Sequence, residues 1–529
     1  PETGFLFPSF NDRATDIHST LFYSKNPEEA HSEFVENILG CTMPLSAGTQ
    51  KEAFQALIEE TLGDEVEYEV VKNIHENLTE MIEEHKEIPE PLTLDKNQVK
   101  SLFEKSGVKE EKLTDFDKLY DAAAGEDTSL FVNNVANVRT FEVKTPDVVV
   151  KVNPERADLV NTLHKLWKNV TQKRMYITGG VGSQGDGERF SIDYDLPNDT
   201  CYTETCAAIG LAMWSLRMLA LEPKREYADI MERALYNNVL SGISQDGEHY
   251  FYVNPLMVKP DVAHFRRDHE SVETQRVKWF GCACCPSNIC RFIPSLPGYI
   301  YAVKDKDVYV NLFMSNTSDL KVGGKAVSIE QTTKYPWNGD IAIGIKKNNA
   351  GQFTMKVRIP GWVRGQVVPS DLYAYSDGKR LKYTVAVNGE PVQSELKDGY
   401  FCIDRRWKKG DKVEIHFDME PRTVKANSKV EADRGRIAVE RGPIVYCAEW
   451  PDNNFDIFSV FMNRNPKFEV VEKPDLLYGI NQLKTGAQIL GYDDQGRLTT
   501  TDVNLTPIPY YAWANRGEGE MQVFIKTNR

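Results

Sequence analysis

The feature that most constrains this chain is a change of hydrophobic period near Tyr299. From about residue 158 to that point, apolar residues recur at helical spacing. Beyond it they alternate with polar ones, in residues 308–313 (VYVNLF), 341–345 (IAIGI), 353–359 (FTMKVRI), 383–387 (YTVAV), 400–403 (YFCI), 412–417 (KVEIHF) and 436–440 (RIAVE). Helical spacing cannot put an apolar face on one side of a strand, nor alternation on one side of a helix, so a helical region must give way to sheets here. Asn338-Gly339 and Asn388-Gly389 supply hairpin-turn chemistry, because such pairs tolerate positive φ. Many short strands at this spacing predict β-sandwiches, modules that pack and orient rather than hold reacting groups.

The helical region reads as a core in its own right. Residues 203–221 (TETCAAIGLAMWSLRMLAL) are apolar on nearly every face, which predicts a helix buried on several sides. After Pro223, residues 226–243 form a second, amphipathic helix with Tyr227, Ile230, Met231, Leu235, Tyr236 and Val239 inward. Leu163, Leu166, Trp167 and Val170 give another helix its apolar face. Helices joined by short loops predict a bundle or toroid. Residues 174–178 (RMYIT) are strand-like and lead into a glycine-rich loop from Gly179 to Gly187.

A chain of 529 residues exceeds one hydrophobic core, so roughly three or four units are expected. Residues 1–150 hold 31 Asp and Glu against 13 Lys and Arg, a balance of −18, whereas the remainder sums to +3. The acidity belongs to the N-terminal part alone, and neither part has the basic patch that nucleic-acid binding needs. No run approaches the roughly 20 apolar residues of a membrane span. Residues 1–130 read as mainly helical, notably 52–62, 67–85 and a short amphipathic segment from Lys100 to Phe103, with acidic faces that are simply solvated. Residues 141–152 are strand-like, and His18, His31, His75 and His85 are scattered without a constellation. The first residues show neither an initiator methionine nor a signal-like segment, as expected of a trimmed or internal piece.

Chemistry concentrates in the cysteines. Six of nine, Cys201, Cys206, Cys282, Cys284, Cys285 and Cys290, lie between residues 201 and 290, leaving only Cys41, Cys402 and Cys447 outside. An odd, clustered set points to metal binding or reactive thiols rather than a disulfide framework, and such thiolates favour a reducing cytoplasm. In WFGCACCPSN, Cys284 and Cys285 adjoin and Pro286 suits the first position of a following helix, whose N-terminus would lower their pKa. With Glu204 and Cys206 at the start of the core helix they make a tetrahedral set of three sulfurs and one oxygen suited to zinc. Inert buried thiols, a strained vicinal disulfide, or a structural zinc using Cys282 instead of Glu204 are the competing readings.

Four further features carry alternatives. Glu188 closes the glycine loop and is either a carboxyl projected into a cleft or a solvated loop residue. Residues 180–185 fit a dinucleotide fingerprint, but ERFSIDYDLPND after them cannot make the helix that receives a pyrophosphate. Asp193 and Asp195 lack the spacing of a calcium loop, and a turn or capping role fits them better. Tyr252, in HYFYVNP, reads as a packed aromatic or the wall of a sugar pocket.

Together YITGGVGSQGDGERF, DYDLPNDTCYTETCAAIGLAMW, RALYNNVLSGIS, YFYVNPL and WFGCACCPSN resemble glycoside hydrolase family 127, the β-L-arabinofuranosidase group, from about residue 158 to the C-terminus. The resemblance implies a multi-domain α plus β chain: residues 158–301 a partial (α/α)6-barrel-type catalytic region, and residues 302–420 and 421–529 two β-sandwiches. It further implies a zinc-dependent retaining glycosidase in which Cys284 is the nucleophile, Glu204, Cys206 and Cys285 complete the Zn2+ shell, Glu188 is the acid/base, and Tyr252 is a pocket tyrosine. The implied partner is a small carbohydrate, with a homodimer allowed. Residues 1–157 instead resemble an unrelated, uncharacterised bacterial family, with a seam near Val160. The family's first barrel half, with its pocket histidines and glutamine, is not found in them. A catalytically incomplete fusion that keeps a structural zinc and carbohydrate-binding-like sandwiches is therefore the alternative.

Overall fold

The computed structural model describes residues 157–527 together with Asn73, Asn77, residues 96–114 and Phe116, and the chain divides into two compact units, Pro1–Val143 and Lys144–Arg529. The helices read at 52–62 and 67–85, the strand at 141–152 and the four N-terminal histidines lie outside the described residues, apart from helical Asn73 and Asn77.

In the first unit, helix α1 (Lys96–Lys105) buries Leu102 and Phe103, and Phe103 packs edge-on against Phe116 at 5.8 Å. It stops at Gly107, whose φ of +93 lets Val108 N–H reach Phe103 O and Gly107 N–H reach Glu104 O. Those two bonds satisfy carbonyls that would otherwise be orphaned.

The second unit opens with helices α2 (Ala157–Asn169), α3 (Thr205–Leu221) and α4 (Arg225–Ala234). Trp167 of α2 joins all three, with edge contacts to Trp214 of α3 at 5.1 Å and Tyr227 of α4 at 5.0 Å. The inward residues expected of α4 and its continuation are buried, and Leu235–Val239 forms a π turn there. Helix α5 (Cys284–Ser295) starts two residues earlier than Pro286 suggests. Proline is tolerated as its third residue because N–H groups of the first turn have no intrahelical partner.

Beyond Tyr301 the chain is sheet. A six-stranded antiparallel sheet runs Glu390–Pro391, Tyr383–Val387, Lys412–Phe417, Asp340–Asn348, Lys325–Thr333 and Asn316–Val322. A five-stranded sheet runs Leu396–Lys397, Tyr400–Arg406, Gln352–Arg358, Asp307–Val310 and Tyr301–Lys304. Ile329, Ile343, Val385 and Ile415 from the first and Val308, Met355, Val357 and Phe401 from the second are buried in one cluster. Each such side chain contributes about 1.5–3 kcal/mol of hydrophobic stabilisation.

A third, twelve-stranded sheet collects the C-terminal strands. It also takes in Met257–Val258 from the helical region, paired with Met521–Gln522, and Tyr373–Tyr375, paired with Pro421–Ala426. Helix α4 is tied to the sheets by buried charge. Arg358 reaches Asp229 at 2.7 Å and also Glu232, and Arg233 pairs with Glu440. Among the described residues no helix is long and apolar enough to cross a membrane.

Candidate active site and metal centre

Two helix N-termini converge on the cysteines. Glu204 occupies the N-cap position of α3 yet makes no capping hydrogen bond, and α5 begins at Cys284 itself. The carboxylate is therefore free to face the sulfurs, and both helix dipoles favour negative charge there. Ligand atoms of Glu204, Cys206, Cys284 and Cys285 all lie within 4.8 Å of one another. Glu204 Oε1 is 3.7 Å from Cys284 Sγ and 3.5 Å from Cys285 Sγ, and the two vicinal sulfurs are 3.8 Å apart and unbonded. Cys282 is exposed and outside this group.

The donor atoms of this cluster could hold a cation. Burial pushes the Cys284 thiol up to about 11, and burial together with the charge of Glu188 raises Glu204. The Cys285 thiol, donating to Cys206, holds Cys206 down to about 7 and is itself raised. Three sulfurs and one oxygen crowded in this way hold protons that a divalent ion would displace, so the donor set fits a thiophilic metal such as zinc.

Glu188 lies beside the cluster. It is an exposed loop residue at φ +46, so the solvated reading is right about exposure, yet it is not free. Glu188 Oε1 accepts from Tyr202 Oη at 2.7 Å and Tyr252 Oη at 3.2 Å. Tyr252 Oη is also 3.2 Å from Cys284 Sγ. One phenol thus touches both groups and, having one proton, donates either to the carboxylate or to a Cys284 thiolate. Phe280 packs edge-on against the Tyr252 ring at 5.6 Å, as the packed-aromatic reading of this tyrosine expects.

All six residues singled out in the sequence, Glu188, Glu204, Cys206, Tyr252, Cys284 and Cys285, therefore meet in one place. Tyr202 does too, and sequence reasoning missed it, although it stands two residues before Glu204 in the same motif. Of the other two motifs, the glycine loop resolves as expected, whereas Asp193 lies in a turn but is held by ion pairs and caps no helix among the described residues. No helix follows the glycine loop before Thr205. Asp193 is ion-paired to Lys173 and Arg174, which hold it down to about 2.

Residues 142–298 match the family model described as Beta-L-arabinofuranosidase, GH127 catalytic domain; residues 307–419 match its middle domain and residues 421–526 the Glycoside hydrolase family 127 C-terminal domain. A solved GH127 beta-arabinofuranosidase superimposes with a TM-score of 0.69 at 38% identity, covering 98% of this chain and 88% of that one. The chain belongs to glycoside hydrolase family 127. A GH127 beta-L-arabinofuranosidase from Geobacillus stearothermophilus T6 gives a TM-score of 0.68 at 32% identity, over 96% of this chain and 81% of that one. The non-reducing end beta-L-arabinofuranosidase of Bifidobacterium longum subsp. longum is 39% identical over 387 residues, 69% of this chain. This GH127 chain spans 55% of that relative's length. Residues 1–169 match a domain of unknown function, DUF4317, so the two-part reading of the sequence holds.

Proposed function

We propose that this chain is a zinc-dependent retaining glycosidase that removes a β-L-arabinofuranosyl or similar five-carbon sugar from the non-reducing end of a carbohydrate. The observation that carries the reading is the Tyr252 hydroxyl, 3.2 Å from both Cys284 Sγ and Glu188 Oε1. The two atoms are thus no further apart than twice that distance, a range that includes the spacing of about 5–5.5 Å at which retaining pairs work.

Cys284 Sγ attacks the anomeric carbon, forming an S–C bond as the glycosidic C–O bond breaks. Glu188 gives its proton to the departing oxygen. The carboxylate then takes a proton from water, the water oxygen bonds to the same carbon, and the thiolate leaves with its electron pair, restoring configuration by two inversions. Glu204, Cys206, Cys284 and Cys285 would hold the zinc, whose positive charge keeps the sulfurs deprotonated at neutral pH. Tyr202 and Tyr252 hold the Glu188 carboxylate between them. The fold that presents these groups is read as part of an (α/α)6-barrel-type helical domain followed by two β-sandwiches.

Replacing Cys284 by serine should abolish turnover of an aryl β-L-arabinofuranoside, and retained activity would sink the proposal. The match of residues 1–169 to a different family favours one other reading, a fusion that keeps the metal site without turnover. Stoichiometric zinc with no activity on any pentofuranoside would select it.

A further inference from the structure

Resting on the reading of Glu204 as a metal ligand, we propose that Asn238 and Asn254 are positioning residues that fix Glu204 by clamping Thr203. Thr203 has a φ of +39, a conformation that β-branched residues avoid and that persists only where surroundings enforce it. Four hydrogen bonds do so. Asn238 Nδ2 and Asn254 Nδ2 both donate to Thr203 O, each at 3.1 Å. Thr203 Oγ1 donates to Asn254 O at 2.5 Å, and Thr203 N–H donates to Gly182 O at 2.9 Å in the loop that leads to Glu188.

Asn254 grips both sides of Glu204, because its amide also donates to Thr205 Oγ1 at 2.9 Å. Thr205 N–H in turn donates to Tyr252 O at 2.9 Å. Thr203, Thr205, Asn238 and Asn254 are all buried, and Asn254 Oδ1 has no partner among the described residues, so the side chain is aimed by what its nitrogen holds. Asn238 stands in the π turn after α4, a distortion frequent at functional sites. The sulfurs of Cys284 and Cys285 ride on α5, a different element from Glu204. If the Thr203–Glu204 peptide relaxed to an ordinary φ, the carboxylate would swing relative to them.

The test uses the full chain loaded with Co2+, whose visible spectrum reports both thiolate ligation and the identity of the fourth ligand. Asn238→Ala and Asn254→Ala should weaken cobalt binding about tenfold or more in competition with a chelator, and should shift the ligand-field bands as the carboxylate leaves while the thiolate charge-transfer band stays. Variants with wild-type circular dichroism that bind cobalt with wild-type affinity and spectrum overturn the proposal. A wild-type chain that takes up no cobalt overturns the metal reading, and this proposal with it. If either alanine variant fails to fold, Gly180→Ala decides by the same readouts. A Cβ there would lie 2.5 Å from Asn238 Oδ1 and 2.9 Å from Thr203 Cγ2, pressing on the same pair from outside.

Discussion

Arg358→Met tests how the helical region is held to the sheets. Arg358 is fully buried, donating to Asp229 Oδ1 at 2.7 Å, to both oxygens of Glu232 and to Asn311 O at 2.6 Å. Without it Asp229 keeps Arg225 and the Gly361 N–H, but Glu232, 2% exposed, keeps among the described residues only the Tyr335 hydroxyl at 2.8 Å. A buried carboxylate stripped of its cation costs about 3–5 kcal/mol. Burial already raises Glu232 above the ordinary value of 4.5, and removal of the guanidinium raises it further. The folded variant then binds a proton that the unfolded chain has released, so its deficit is complete above the shifted folded pKa, shrinks as the pH falls from there, and is gone below the unfolded one. Urea unfolding followed by tryptophan fluorescence should therefore show a larger loss at pH 8 than at pH 5. A loss below about 1 kcal/mol, or one that grows on acidification, would refute the argument.

Tyr252→Phe removes a hydrogen bond to a charged group, of the kind that contributes about 1.5–3 kcal/mol, so kcat on an aryl arabinofuranoside should fall about 10–100-fold with KM less affected; an unchanged kcat contradicts the role. Gly339→Ala should lower the melting temperature, because a Cβ there would lie 1.9 Å from Phe417 O, whereas Gly210→Ala in α3 meets nothing within 4 Å and should leave stability equal or higher by about 0.5–1 kcal/mol. Dialysis against a chelator should abolish activity and added zinc should restore it, as followed by turnover and metal content; activity in metal-free protein would remove zinc from the account.

What the sequence revealed follows from how local each signal is. The strands at 383–387 and 412–417 were legible to the residue because one face of each is buried and the alternation is clean. Asn388-Gly389 forms the expected turn with φ of +55 and +82, but Gly339 does not take positive φ. Its glycine serves the close approach of Phe417 instead. Strands at Asn316–Val322 and Leu498–Leu505 were not read, since their sequences NTSDLKV and LTTTDVNL are polar on both faces. The cysteine cluster was legible because its halves are short adjacent motifs at two helix starts. The Tyr202 hydroxyl on Glu188 and the two amides on Thr203 were not, because each depends on distant segments brought together by folding.

The central claim is that Cys284 carries the sugar, and the direct measurement is the mass of its peptide during turnover. In Glu188→Gln the water that releases the sugar is no longer activated, so an aryl arabinofuranoside with a good leaving group should load the enzyme and leave it loaded. Acid quenching, digestion and fragment sequencing should then find one pentosyl group on Cys284 among the four cysteines of residues 279–291. Release of the aryl group with Cys284 unmodified, or a sugar on any other residue, would contradict the mechanism.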